Sequence, residues 1–313
     1  MASGALPTLD GMRTLRTEDG LPLHWRQWSR PGPGPARGTV LIVHGLGEHI
    51  GRYEHLAGRL NDWGWHVVGH DQRGHGASGG PRGDVPDADA LLRDLARVID
   101  ELRADSQLGA GPLVLLGHSM GGLVAARFVA GGLLALGHGG VLPPWFRPVD
   151  ALVLSSPALD PGLSGLQRLM LGIARPLLPH LAVGNGLKPA WISRDAAVVA
   201  AYKNDPLVHD RVTATLAGLI AQGGAELLEQ APQWVLPTLL LWAGADQCVD
   251  PEGSAQFAAE APRAVLQSYC FERLYHELFN EPEHEQVFAR LQAWLDDRFA
   301  PAGAAGSPLV ARR

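Results

Sequence analysis

Hydrophobic positions fall along this chain in two alternating patterns. Short runs without polar interruption, at 39–43, 113–116, 151–155 and 238–242, have the length and the leucine or β-branched content of strands buried on both faces. Between them lie segments of helical period. In 87–104, Leu91, Leu95, Val98 and Leu102 recur at i, i+4, i+7 and i+11, the single apolar stripe of a surface helix. The same reading predicts helices over 53–63, 120–130, 252–261 and 283–299, and strands over 66–69 and 265–270. Residues 12–28 read as a hairpin with Asp19-Gly20 near its turn, and 31–35 as a Pro/Gly loop. Strands alternating with helices predict an α/β fold, a mostly parallel, doubly wound sheet with the N-terminal antiparallel hairpin at one edge.

The alternation breaks between about 158 and 232, which holds helical patterns and no strand signal. The expected organisation is a core from 1–157 and 233–300, an inserted helical cap over 158–232, and a frayed tail at 301–313. In the cap, Leu163, Leu166, Leu169, Met170, Ile173, Leu177 and Leu181 recur at helical spacing. Such a stripe over the sheet edge is expected to line a channel for an apolar substrate. Gly131 to Pro148 forms a long Gly/Pro-rich connection, read as a surface loop or part of the site rim.

Composition narrows the class. The 313 residues are 46% hydrophobic and 19% charged, ample for one large α/β domain. A net charge of −6 without basic blocks gives no reason to expect nucleic-acid binding. Only two of the 26 basic residues are lysine, Lys188 and Lys203. Two cysteines, Cys248 and Cys270, do not make a disulfide framework and fit a reducing compartment. Residues 1–11 lack a basic start and an apolar h-region, and no apolar run is long enough to span a bilayer. A cytoplasmic protein, able to touch a membrane peripherally, is the expectation.

The chemistry concentrates where the 113–116 run enters Gly117-His118-Ser119-Met120-Gly121. Strand, G-x-S-x-G, then helix is the context of a nucleophile elbow. The turn lifts a serine hydroxyl off the carboxyl edge of the sheet, and the flanking glycines allow a bend that a Cβ would obstruct. A serine needs a base, and the base an acid to orient it. In this architecture the order is Ser, acid, His. Asp246 ends the strand 239–242 and its turn; Asp250 is the rival, but its place before 252–261 suits a helix cap. His276 follows the last strand and is the expected base. His284 falls in the last helix and His209 in the cap. The oxyanion donors are expected to be the backbone N–H groups of Met120 and Leu46, the latter in the loop His44-Gly45-Leu46-Gly47-Glu48-His49, with His44 supporting that loop. No cysteine and histidine spacing suits zinc, no phosphate-binding glycine loop is present, and no cofactor is expected.

His44–His49, Gly51-Arg52-Tyr53, Asp71-Gln72-Arg73-Gly74-His75-Gly76-Ala77-Ser78-Gly79, Gly117–Gly122, Tyr202-Lys203-Asn204-Asp205-Pro206-Leu207 and Tyr275–Glu281 together resemble the monoacylglycerol lipase and lysophospholipase branch of the α/β-hydrolases. The similarity runs over about residues 12 to 299. It implies an α/β-hydrolase fold and a lipid-like ester substrate. It also implies a polar pocket for the glycerol end at Glu48, Arg52, His118 and Tyr202, unless Glu48 and Arg52 merely pair with each other. The expected activity is a serine hydrolase acting on monoacylglycerol through an acyl-enzyme. A lysophospholipase or general carboxylesterase is the alternative, and a catalytically dead ligand-binding protein the non-enzymatic one. Acyl length, regiochemistry and oligomeric state are not encoded in these motifs.

Overall fold

The computed structural model describes residues 11–28, 30, 34–137 and 140–299; the tail expected to fray at 301–313, residues 1–10 and most of the 31–35 loop lie outside these. The strands are β1 (Met12–Arg16), β2 (Pro22–Trp28), β3 (Thr39–Val43), β4 (His66–His70), β5 (Leu113–His118), β6 (Ala151–Ser155), then β7 (Val183–Gly184) and β8 (Arg211–Val212) in the insertion, and β9 (Thr238–Ala243) and β10 (Leu266–Phe271). The helices are α1 (Glu54–Asp62), α2 (Ala90–Ala104), α3 (Met120–Gly137), α4 (Gly165–Leu177), α5 (Ala196–Asn204), α6 (Ala214–Gln230), α7 (Pro251–Glu260) and α8 (His284–Arg298).

Eight strands form one sheet in the order β1-β2-β4-β3-β5-β6-β9-β10. β1 pairs antiparallel with β2, and β2 antiparallel with β4; every other pairing in it is parallel. Every residue of β3, β5, β6 and β9 is buried. This is why those strands read as unbroken apolar runs: helices cover both faces, so neither set of alternate side chains meets water. Val40, Ile42, Val114 and Leu116 pack on one face with α1 and α8, while Leu41, Val43, Leu113 and Leu115 pack on the other with α2 and α3. The parallel order brings the carboxyl ends of β5, β9 and β10 to one edge of the sheet, where loops converge.

Four expectations change, three of them in the elements themselves. The elbow helix does not stop near Ala130; α3 runs on to Gly137, and this shortens the 131–148 connection. Gly131 and Gly132 lie within this helix, where a Cβ on either would collide with the rings of Trp145 and Phe146. Those rings also stack near Phe128, at 5.5 and 6.0 Å between centroids. The connection therefore closes the back of α3, and none of its described residues lines the site cavity. α2 begins at Ala90, because the Asp87 side chain accepts the Asp89 N–H and pairs with Arg93 in a turn before the helix. The insertion also contains a strand pair that two-residue elements cannot announce by periodicity: Val183 faces Val212 and Gly184 faces Arg211 in an antiparallel ladder.

The apolar stripe of the insertion is real but turned outward. Ser164 and Gln167 close a capping box that starts α4. None of its residues is buried, and Leu166 and Leu177 are 67% and 70% exposed. No residue between 163 and 181 lines the cavity above Ser119. The expectation that this stripe forms a channel wall is corrected: amphipathicity shows that one face is apolar, not what that face meets. Among the described residues no helix is long and apolar enough to cross a membrane.

Candidate active site

Ser119 sits at the turn between β5 and α3 with φ of 53°, in the left-handed region that non-glycine residues avoid. Its neighbours explain how the turn holds. A Cβ on Gly121 would run into the carbonyls of Val43 and His44, and one on Gly117 into the backbone of Gly121 and Gly122. The Ser119 N–H donates to Ser155 O at 3.0 Å, and its carbonyl accepts from Ala158 N, also at 3.0 Å. The strained residue is thus fixed by β6 on one side and the start of the insertion on the other.

His276 and Asp246 arrive from the ends of β10 and β9. His276 Nδ1 lies 2.7 Å from Asp246 Oδ2, and both side chains are buried. Asp246 Oδ1 accepts the N–H groups of Cys248 at 2.8 Å and Val249 at 3.2 Å. Burial lowers the affinity of the His276 imidazole for a proton. The Asp246 carboxylate and its hydrogen bond outweigh this, so the net shift is upward. Asp250, the rival acid, instead accepts Glu252 N–H at the start of α7. Ser119 and His276 line one cavity of about 450 Å³ with Gly45, Leu46, Glu48, Arg52, His118, Tyr202 and Cys248. Its apolar wall is Leu46, Leu187, Pro189, Ile192 and Val208.

Among the described residues neither Leu46 nor Met120 gives its backbone N–H to a protein acceptor. The loop that carries Leu46 is pinned at several points. Glu48 Oε1 accepts Gly45 N–H at 2.6 Å and the Tyr53 hydroxyl at 2.7 Å. His44 Nδ1 lies 2.8 Å from Gly45 O, and its Nε2 accepts Gln72 N–H at 2.9 Å, so it supports the loop. Gly47 has φ of 76°, and a Cβ there would strike His209 O from the insertion. His209 N–H donates to Gly47 O at 2.8 Å.

The polar residues form one network. Arg52 reaches Glu277 with two hydrogen bonds, 2.6 and 2.8 Å, and Glu48 with a third at 2.7 Å. Burial raises the Glu48 carboxyl, but the Arg52 charge, helped by the Tyr53 hydroxyl bond, more than offsets this and leaves it below its ordinary value. Tyr202 on α5 lies over the Arg52 guanidinium at 4.7 Å, and among the described residues its hydroxyl has no protein partner. His118 Nδ1 is 3.1 Å from Ser155 O, and its ring sits 4.7 Å from that of His276. Burial, then the neighbouring His276, lower His118 to about 4, so it is neutral at pH 7.

Two participants escaped the sequence reading. Glu277 was quoted only as part of a motif, and its partnership with Arg52 spans 225 positions, beyond any local pattern. Glu281 is fully buried and joins the insertion to the histidine loop. Its carboxylate accepts from Ser193 Oγ (2.8 Å), Arg194 N (2.6 Å), Arg194 Nε (2.7 Å) and Tyr275 N (2.9 Å), the last being the residue before His276. The only sequence signal would have been an acidic residue just before a helix whose cap it does not form. Glu281→Ala is expected to leave the Arg194 and Tyr275 N–H groups without their acceptor, while Ser193 keeps Asn280 O and Arg194 keeps Glu283, to cost about 3 kcal/mol of stability, and to lower kcat more than it raises KM. Denaturant unfolding and steady-state kinetics on one ester check both parts.

Comparison with known proteins agrees with this geometry. The family model described as serine aminopeptidase, S33 (Hydrolase_4) matches residues 34–283. An abhydrolase domain-containing protein of Dictyostelium discoideum is 34% identical over 92% of this chain, and the match spans 29% of that protein's length. Human monoglyceride lipase is 32% identical, covering 94% of this chain and 93% of its own. The crystal structure of Paleococcus ferrophilus monoacylglycerol lipase superposes with a TM-score of 0.75 at 31% identity, covering 88% of this chain and 99% of that one. With the matched segment taking in β3 to the histidine loop, and with an eight-stranded sheet presenting a serine elbow, the chain belongs to the serine aminopeptidase S33 family of α/β-hydrolases.

Proposed function

We propose that this protein hydrolyses monoacylglycerols, releasing a fatty acid and glycerol through an acyl-enzyme. The observation that carries the chemistry is the 2.7 Å bond from His276 Nδ1 to Asp246 beside a serine held in an elbow. Asp246 orients His276, which takes the Ser119 proton as its oxygen attacks the ester carbonyl. The backbone N–H groups of Leu46 and Met120 receive the developing oxyanion. His276 then protonates the departing alcohol, and water, activated by the same imidazole, frees the fatty acid. No cofactor takes part in this scheme. The insertion 158–232 serves as the cap of the site.

The substrate assignment is supported by the relatives and by the cavity's division. Leu187, Ile192 and Val208 offer an apolar side. Glu48, Arg52, His118 and Tyr202 offer polar groups suited to glycerol hydroxyls, and burying an unpaired hydroxyl costs roughly 1–3 kcal/mol. An aminopeptidase would need a free carboxylate for the substrate ammonium. The less exposed acids of this cavity are engaged instead: Glu48 and Glu277 with Arg52, and Asp205 with His49. That favours an ester over a peptide. Monoacylglycerol is expected to react faster than lysophosphatidylcholine of equal chain length, because these polar groups can hydrogen-bond glycerol hydroxyls and a trimethylammonium offers them no such bond. Tyr202→Phe should narrow that gap and leave short p-nitrophenyl esters little affected. The opposite preference in the unaltered protein would move the assignment to a lysophospholipase.

The outward face of α4 supports a peripheral contact with a lipid surface. Leu166, Leu169, Met170, Ile173 and Leu177 form a contiguous exposed apolar stripe on the cap, larger than isolated surface leucines require. Co-sedimentation with phosphatidylcholine vesicles is expected, and Leu169→Ser with Ile173→Ser should abolish it while hydrolysis of a water-soluble ester persists. Equal sedimentation of both forms would remove the lipid-surface reading.

A further inference from the structure

Cys248 lies two residues beyond Asp246 and opens on the same cavity as Ser119 and His276. It is a free thiol. One ligand-type atom from each of Asp246, Cys248 and His276 lies within 4.8 Å of the other two. Asp246 Oδ1 accepts the Cys248 N–H, which sets the acid and the thiol side by side, and Oδ2 faces the imidazole. We propose that these three side chains form an inhibitory site for a thiophilic divalent cation, with Zn²⁺ the cation whose chemistry fits the set. No spacing in the sequence shows it, since the imidazole comes from a loop 28 positions beyond the cysteine.

One sulfur, one nitrogen and one oxygen are the donor types that zinc takes in tetrahedral sites. Bonds of about 2.0–2.3 Å put tetrahedral ligand atoms roughly 3.3–3.7 Å apart. The donor atoms are at most 4.8 Å apart, so no pair has to close by more than about 1.5 Å, which side-chain rotation supplies. Burial, then the charges of Asp246 and Glu277, hold the thiol well above its ordinary range, so it stays protonated until a cation takes the proton's place. On binding, the Cys248 thiol releases its proton to solvent and coordinates as thiolate. The imidazole uses one lone pair and keeps its single proton on the other nitrogen. Asp246 supplies an oxygen, and a water from the cavity completes the four ligands. A dication on a thiolate and a carboxylate is neutral overall, which suits a buried position. The cation is an inhibitor and not a cofactor: with its lone pair engaged, His276 cannot accept the Ser119 proton.

This inference rests on His276 being the base, and the experiment separates the two. Zn²⁺ is titrated into p-nitrophenyl butyrate hydrolysis by the full-length protein and by Cys248→Ala, each normalised to its own rate in EDTA. Inhibition of the unaltered protein is expected to be fully reversed by EDTA. Cys248→Ala is expected to need at least about tenfold more Zn²⁺ for the same loss. In parallel, Co²⁺ is added to Ser119→Ala, whose lack of activity is irrelevant to the readout. A thiolate-to-cobalt charge-transfer band in the near ultraviolet is expected there and should vanish in the Ser119→Ala, Cys248→Ala double variant. Equal Zn²⁺ sensitivity with and without the thiol, or no cobalt band, overturns the site. A cobalt band without Zn²⁺ inhibition overturns the inhibitory role. The band in a protein that cleaves no monoacylglycerol supports the site and refutes the substrate assignment instead.

Discussion

Ser119→Ala is expected to lower kcat by on the order of 10⁶ while leaving the fold in place, and His276→Ala by a similar factor, since the members of such a unit are worth little alone. Asp246→Asn gives a sharper test, because the structure says which way the new amide must lie. Asp246 Oδ1 accepts two backbone N–H groups, from Cys248 and Val249, so the asparagine oxygen is held on that side. Its NH₂ then faces His276 Nδ1, and that nitrogen must become an acceptor. The proton moves to Nε2, and the imidazole can no longer take one from Ser119. A loss of about 10⁴ in kcat is expected from this tautomer change. Asp250→Asn keeps its cap on α7, since asparagine caps as well as aspartate, and should be close to neutral. Steady-state hydrolysis of a p-nitrophenyl ester, with circular dichroism to verify folding, measures all four. If Asp250→Asn proved the more damaging of the two acid variants, the orienting acid would be Asp250.

The second large effect concerns stability. Arg52→Met removes the one cation between Glu48 and Glu277 and leaves two buried carboxylates with no counter-charge. Breaking a buried pair from one side costs about 3–5 kcal/mol. With roughly 1.5 °C of Tm per kcal/mol in a chain of this size, the melting temperature should fall by about 5–8 °C. Glu48 adds a pH signature. Its folded-state pKa is depressed, so its stabilisation is complete above the ordinary glutamate range and is lost as pH falls below it. In Arg52→Met that acid-side loss should shrink or reverse, because protonating Glu48 now relieves repulsion. Thermal unfolding of both forms across the acid range checks the sign. A variant as stable as the parent at neutral pH would mean that solvent reaches the two carboxylates.

Strands buried on both faces were legible almost to the residue: β3 and β6 have the bounds that their apolar runs suggest. That Ser119, Asp246 and His276 meet at one sheet edge was legible because each follows a recognisable strand and the chain order fits one architecture. Pairings across the chain were not. Nothing near Arg52 points to Glu277, and nothing near Tyr275 points to Ser193, because such bonds depend on how loops converge after folding. The far end of α3 is hidden in the sequence because Gly131-Gly132 reads as a helix break, whereas these glycines serve the close approach of Trp145 and Phe146. The direction of the α4 stripe was unreadable for a different reason: a period reports a face and says nothing of its neighbour.

The straps between insertion and core have a practical consequence for chimeras. Ile192 O accepts Glu277 N–H, Ser193 and Arg194 grip Glu281, and His209 N–H holds Gly47 O beside Leu46. Thr213 N–H and Oγ1 bind Gly83 O and Asp84. A graft that exchanged the entire insertion for a relative's would sever the supports of both the loop that carries His276 and the loop that carries Leu46. The recipient would lose turnover for reasons unrelated to substrate choice. Splice points at 164 and 178 bracket α4 alone and fall outside those straps and outside the Pro179 and His180 contacts to Thr215 and Asp84, so a transplant cut there changes the exposed apolar face and leaves those contacts in place.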